Sequence, residues 1–231
     1  PLIAANVTRW TTIAPGITYQ KIREPDWPAW SHIHAFKIDP TINTLSLATA
    51  HDLQQPAASA SDYVKLPKVL MAINGGFFDD NHKPLGLRIR DFKILNPLKP
   101  ISWWGVFYIK NKKAYLSSVH DFKQDKDIAF AIQSGPRLIV NGTIPHLKPK
   151  RAQRSALGIS KDGFIIVVIT ENMAINTTKL AHILQEKPFF CTQALNLDGG
   201  HSTQLETNFN DFKLSIPGFS LVSDAVVVKR S

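Results

Sequence analysis

Gln193-Ala-Leu-Asn-Leu-Asp-Gly-Gly-His-Ser-Thr203 runs an apolar, strand-like lead-in straight into a carboxylate, two glycines, an imidazole and two hydroxyls. The pattern predicts a strand that ends at Leu197, with Asp198 where the strand stops. Gly199 and Gly200 let the chain turn through positive φ, or approach a ligand without a Cβ in the way. Upstream, Phe164-Ile-Ile-Val-Val-Ile-Thr170 has the length and composition of a buried strand. Between them, residues 177–187 place Leu180, Ile183 and Leu184 at i, i+3 and i+4, a helix that Asn176 or Thr177 can cap. Strand, helix, strand in this order predicts a crossover unit. Asp198 then stands at the carboxyl end of the second strand, where α/β sheets bind ligands.

A second segment is built the same way. Val69-Leu-Met-Ala-Ile-Asn-Gly-Gly-Phe-Phe-Asp79 is an apolar run that ends in a polar residue and two glycines, Asn74, Gly75 and Gly76. Two such strands are expected to form two walls of one pocket. Around them, short strands dominate. Leu45-Ser-Leu-Ala-Thr49 alternates, Trp103–Ile109 and Ala114–Ser117 flank a tight Lys110–Lys113 turn, and Ala225–Val228 forms a late strand. Asn141-Gly142 and Lys161-Asp-Gly163 mark two further hairpins. A short helix is expected from Ser59 or Ser61 to Leu66. The fold class that follows is α+β (mixed α/β): one domain over residues 1–231, with a central mixed β-sheet, several hairpins and few helices.

At 231 residues the chain can bury a full core, and 44% hydrophobic against 19% charged residues is the balance of a folded globular protein. No apolar run approaches the roughly 20 residues of a membrane-spanning helix. The net charge of +9 favours anionic partners such as phosphates, acidic glycans, nucleic acid or a membrane surface. Lys148-Pro-Lys-Arg151 with Arg154 is the densest basic cluster, read either as a solvated loop or as an anion site. The single cysteine, Cys191, excludes an intramolecular disulfide and a cysteine metal cluster, and beside Phe189 and Phe190 it should pack as a small hydrophobe. The chain opens at Pro1 rather than Met, which points to a processed or trimmed start with any leader out of view. A secreted or periplasmic location is the expectation.

Four segments together resemble one known family. Ile73-Asn-Gly-Gly-Phe-Phe78, Gln133-Ser-Gly-Pro-Arg-Leu-Ile-Val-Asn-Gly142, Arg154-Ser-Ala-Leu-Gly-Ile159 and Ala194 to Thr203 are similar, in order and spacing, to motifs of the phosphodiester glycosidases. That family is related to the enzyme that uncovers mannose 6-phosphate on lysosomal proteins. The resemblance covers about residues 70–205. It implies hydrolysis of a sugar 1-phosphodiester at the anomeric carbon, leaving a phosphomonoester, with an N-acetylglucosamine-type sugar as the type substrate. The chain departs from the pattern at His201, where another Gly is common, and at Glu171-Asn-Met173, where Asp-Gly-Arg is common. Both departures bear on substrate identity and resemble the shorter bacterial branch.

Glycosidic cleavage passes through an oxocarbenium-like transition state that usually calls for two carboxyl groups. Asp198 is the first candidate, as nucleophile, base or electrostatic stabiliser; the plainer reading makes it an Asx-turn acceptor closing the Gly-Gly loop. Glu171, at the end of the 164–170 strand, is the expected partner, and a solvated strand-end charge is its alternative. Asp79 is a weaker third. A phosphate leaving group is a weaker base than an alkoxide, so guanidinium and N–H donors can replace a dedicated acid. Arg137, after Ser134 and Gly135, and Arg154 suit that role, or else serve as surface ion-pair partners. Asn74, Gly75 and Gly76, with Gly199, Gly200, His201, Ser202 and Thr203, are expected to line the sugar site.

Other chemistries are less well supported. Gly200-His-Ser-Thr-Gln204 falls one glycine short of a serine-hydrolase elbow. His32-Ile-His34 puts two imidazoles on one strand face with no third ligand at a recognisable spacing, so no metal and no cofactor are expected. Trp10, Trp27, Trp30, Trp103 and Trp104 are suited either to stacking on a sugar or, as large aromatics more often do, to filling the core, with Trp27 and Trp30 the expected exposed pair. The rival function is a non-catalytic module for anionic polysaccharide or another polyanion. Nucleic acid is not the expected partner, because no basic and aromatic interleaving marks one element.

Overall fold

A computed structural model describes residues 9–230; Pro1 and the expectation attached to it lie outside the described residues. In chain order the strands are β1 (Thr11–Ala14), β2 (Ile17–Ile22), β3 (His32–Ile38), β4 (Asn43–Thr49), β5 (Val69–Asn74), β6 (Arg88–Arg90) and β7 (Lys93–Asn96). They continue as β8 (Gly105–Lys110), β9 (Lys113–Ser118), β10 (Ile128–Ser134), β11 (Arg137–Ile139), β12 (Arg151–Ala152) and β13 (Ser155–Ser160). The last are β14 (Ile165–Glu171), β15 (Ile175–Asn176), β16 (Cys191–Asn196), β17 (Leu205–Thr207), β18 (Ser215–Ile216) and β19 (Asp224–Arg230). Two α-helices stand among them, α1 (Ala60–Tyr63) and α2 (Thr177–Gln185).

The strands assemble into a seven-stranded sheet, β1-β2-β3-β14-β13-β16-β11, and two five-stranded sheets, β7-β6-β10-β8-β9 and β18-β17-β5-β19-β4, with a small β12-β15 ribbon. The architecture is β-rich, with the few helices expected. The expected mixed sheet is not what forms: every strand pairing among the described residues is antiparallel. The crossover unit is altered for the same reason. The turn at Asp162-Gly163 folds β13 against β14 as an antiparallel hairpin, and β16 returns through α2 to the far side of β13. The two strands flanking the helix run in the same direction but never touch. Asp198 still emerges at the carboxyl end of β16, beside the start of β13.

Local chemistry accounts for the elements read correctly. Asn111 and Lys112 both adopt positive φ in the two-residue turn between β8 and β9, the backbone that matches strand twist. Asn141 and Gly142 do the same, although the hairpin there shrinks to a single Val140–Thr143 bridge. Asn176 caps α2, its Oδ1 accepting the Lys179 N–H at 2.7 Å. Ser59 caps α1 with Asp62 completing the reciprocal box. One core draws on all three large sheets: Phe36, Val167 and Leu195 from the first, Phe107 and Phe130 from the second, Leu47, Met71 and Val226 from the third. A second core, under α2, takes in Leu180, Leu184, Phe189 and Cys191, whose thiol burial pushes up in pKa.

Candidate active site

The ends of β5 and β16 meet, as the paired sequence motifs predict. Asn74 is fully buried, and its Nδ2 donates to the Asp198 carbonyl at 2.8 Å. Its Oδ1 accepts from Ser155 Oγ at 2.7 Å and from the Gln204 N–H at 3.3 Å. The Asp198 N–H donates back to the Gly75 carbonyl at 3.2 Å. Asn74 therefore cross-links three segments with its own polar atoms. Its side chain lies at the floor of the candidate site, with both polar atoms engaged by protein groups.

The half-buried Asp198 carboxyl accepts the Gly199 N–H at 2.8 Å and the Ser202 hydroxyl. Burial raises its pKa above the ordinary carboxylate value, and the charge of Asp224 pushes the same way, against Ser202, Gly199 and Arg88. A carboxylate whose pKa is raised is a stronger base than a free one, which suits general acid–base chemistry. The two glycines after it do different jobs. A Cβ on Gly199 would come within 2.6 Å of the Gln153 carbonyl oxygen, so the backbones approach closely there, whereas Gly200 turns at φ +61° in open space. His201 is exposed, while Ser202 and Thr203 are buried.

Beneath Gly75 and Gly76 lies an ion pair that sequence reading missed. Arg88 Nε donates to Asp224 Oδ2 at 2.8 Å, with both side chains 1% exposed. The guanidinium also donates to the carbonyls of Leu85, Gly86, Leu87, Gln133 and Phe77. Asp224 heads β19, where the Gly75 N–H donates to its carbonyl at 3.0 Å. Nothing local announces either residue: Leu87-Arg-Ile-Arg90 reads as an ordinary alternating strand, and the partners are 136 residues apart.

Unpartnered polar atoms concentrate around this centre. Trp104 Nε1, Ser134 Oγ, Asn196 Oδ1, Thr203 Oγ1 and Asp224 Oδ1 are all buried without a protein hydrogen bond. Buried polar atoms are otherwise paired in the great majority. The Trp104 ring lies tilted, 5.0 Å from that of Phe77, the residue after Gly76, and crowds Gly135, where a Cβ would lie 2.6 Å from its ring. The half-buried Arg137 runs across Gly105, the residue after Trp104, and its guanidinium has no ion-pair or hydrogen-bond partner among the described residues. A cleft of about 300 Å³ opens alongside, lined by Ser59, Gln204, Ser215, Phe219 and Leu221. Gln204 joins the two places, since its Nε2 donates to the Ser202 carbonyl at 3.1 Å.

Other expected residues go elsewhere. Arg154, just before β13, is buried, with its guanidinium donating to the carbonyls of Ile175 and Lys150. Burial without an anion lowers its pKa. It fastens the 148–152 segment to β15 and is not grouped with Asp198. Glu171 is held by the histidines of β3, at 2.8 Å from His34 Nε2. The second carboxylate whose charge bears on Asp198 is Asp224. Asp79 closes a turn, accepting the N–H groups of Asn81 and Lys83, each at 2.9 Å.

A family model described as phosphodiester glycosidase matches residues 67–229. The chain belongs to this family. Among curated proteins it is 35% identical, over 144 residues, to the uncharacterised protein YigE of Escherichia coli (strain K12). That match takes in 57% of this chain and 56% of the relative, so the chain spans little more than half the length of the protein it matches. The catalytic domain of zebrafish N-acetylglucosamine-1-phosphodiester alpha-N-acetylglucosaminidase, auto-inhibited by its pro-peptide, superposes with a TM-score of 0.71. The identity is 17%, over 97% of this chain and 88% of that one. A hypothetical protein from Synechocystis gives 0.70 at 17% identity, over 99% of this chain and 64% of that one. A protein described as exported, from Burkholderia pseudomallei K96243, gives 0.60 at 12% identity, over 86% and 74%. At these identities the likeness is one of fold. No helix among the described residues is long and apolar enough to cross a membrane.

Proposed function

We propose that this protein hydrolyses a sugar 1-phosphodiester at its anomeric carbon and releases a phosphomonoester. The observation that carries the reading is Asp198: a half-buried carboxyl of raised pKa at a glycine turn, beside the buried Arg88–Asp224 pair. In the reaction, water adds to the anomeric carbon as the bond to the phosphate oxygen breaks, and the leaving group departs with the bonding pair. Asp198 takes the proton from the attacking water, and its negative charge offsets the positive charge that develops at the ring. Asp224 and Arg88 act through Asp198, holding its charge balance from below. Arg137, unpartnered and half-buried, meets the phosphate oxygens, with Ser134 and the Trp103–Trp104 pair beside it.

Family membership supports the reaction class. An N-acetylglucosamine-type sugar is the first substrate to try, because the zebrafish enzyme of the same fold is named for it. A secreted or periplasmic site of action is consistent with the exported description of one structural neighbour. We read the chain as one domain, because a single core draws on all three large sheets.

The test is turnover on a panel of aryl-phosphate diesters of sugars, with matching neutral aryl glycosides as controls. Release from the diesters by the wild type and not by Asp198→Asn is expected. Absence of turnover on the whole panel, with retained binding of an anionic polysaccharide, would favour the non-catalytic reading.

A further inference from the structure

One cluster of side chains plays no part in the site around Asp198. His32 and His34 are two residues apart on β3 and so share a face. Glu171 ends the neighbouring β14, directly opposite His32 in the register. His34 Nε2 lies 2.8 Å from Glu171 Oε2, and His32 Nδ1 lies 3.5 Å from the same oxygen. The three donor atoms all fall within 4.8 Å of one another. Around a tetrahedral zinc ion, ligand bonds of about 2.0–2.2 Å separate the donors by roughly 3.3–3.5 Å. The His32–Glu171 separation is already near that value; the His34–Glu171 contact is a hydrogen bond that an ion would replace and widen, and a rotation of the His32 ring, at the partly exposed end of the cluster, would bring in the third donor.

We infer that His32, His34 and Glu171 form a binding site for a divalent transition-metal ion of the zinc type. Two imidazoles and one carboxylate suit a borderline ion such as Zn²⁺ or Co²⁺ and not the oxygen-seeking Mg²⁺ or Ca²⁺. Three protein ligands leave the fourth position for water. The features around the trio fit a ligand set. His32 Nδ1 is buried and makes no hydrogen bond. An ion would replace the hydrogen bond between His34 Nε2 and Glu171, and the Tyr19 hydroxyl, 2.8 Å from His34 Nδ1, could then accept an N–H there and hold the ring as a ligand. Side-chain exposures of 16% for His32 and 31% for Glu171 give an ion a way in from solvent. The sequence offered only the histidine pair, because the third ligand lies 137 residues along the chain from His34. The site ties β3 to β14 at one end of the large sheet, and its assignment stands independently of the glycosidase reading.

The experiment titrates the metal-free full chain with Zn²⁺ by calorimetry and with Co²⁺ by visible absorption. One equivalent of either ion is expected to bind, Co²⁺ with the intense visible bands of a four-coordinate complex that Zn²⁺ then bleaches. A large excess of Mg²⁺ is expected to leave both signals unchanged. His32→Gln carries the decisive comparison, because its ring is more exposed than that of His34 and the variant can be checked for an unchanged melt without metal. It should weaken binding by at least the 10–100-fold typical of losing an outer partner, and Tyr19→Phe by about that range. Failure to bind one equivalent, displacement by Mg²⁺, or undiminished binding by a folded His32→Gln would overturn the assignment.

Discussion

Arg88 and Asp224 pair in a space that exists only because residues 75 and 76 carry no side chains. A Cβ at Gly75 would stand 1.8 Å from Asp224 Oδ1, and one at Gly76 would stand 2.6 Å from Arg88 Nη2. The Asn-Gly-Gly motif thus shapes the site from below, by admitting two buried charges, as much as by opening it to a ligand.

Removing one charge of that pair should be costly. Arg88→Met leaves Asp224 buried without its partner, and loss of one member of a buried pair commonly costs about 3–5 kcal/mol. Five carbonyl oxygens lose a donor as well. Denaturant unfolding should show a loss of that size. A midpoint close to wild type would mean that water replaces the guanidinium freely.

The glycines separate by mechanism. Gly200→Ala meets nothing within 4 Å, and only its positive φ opposes the change, at about 1 kcal/mol. Gly75→Ala drives a methyl group into the Asp224 carboxylate and should cost several times more, with loss of turnover. Melting curves of the two variants measured side by side check the order. Equal losses would show that the carboxylate moves aside.

Much of this was legible in the sequence, and the rest was hidden by distance along the chain. Asp198, the two Gly-Gly strand ends, the cap of α2 at Asn176 and the β8–β9 hairpin follow from residues that are neighbours in sequence. The hairpin of β13 with β14 follows too, but the place of β13 between β14 and β16 does not, because a crossover reads the same whether its strands pair directly or leave room for another. The contacts of the Arg154 guanidinium, with the carbonyls of Lys150 and Ile175, depend on the path of the 148–152 segment and on β15, which no local pattern records. Ser155, one residue on, is the side chain that reaches Asn74. Arg88, Asp224 and the His34–Glu171 contact are long-range pairs that no local pattern records.

Arg137→Ala tests the phosphate contact with little structural risk, since the guanidinium holds nothing among the described residues. Its loss should weaken binding of a sugar phosphodiester by about 1.5–3 kcal/mol per charge-assisted hydrogen bond and leave the neutral glycoside nearly unaffected. Inhibition constants for a matched pair of non-hydrolysed analogues give the comparison. Equal weakening of both would remove Arg137 from the phosphate subsite.

Asp198→Asn joins the catalytic and the electrostatic arguments in one variant. Asparagine keeps the shape and can still accept the Gly199 N–H, so the turn should survive. Turnover should fall by about 10²–10³ or more, the usual consequence of losing a transition-state stabiliser. Stability should respond in the opposite sense, and only over part of the pH range. Burial raises the Asp198 pKa in the folded chain, so between the ordinary carboxylate value and the raised one the native state holds more protons than the unfolded state. Wild-type stability attributable to this group therefore falls as pH climbs through that window and is level above it. The asparagine variant does not titrate there, so its melting temperature should gain on the wild type across the window and stay at or above it at neutral pH. Melts taken from acid to neutral pH, with turnover at each point, measure both effects. Full activity would remove Asp198 from the chemistry, and a lower melt at neutral pH would show that its charge serves to close the turn.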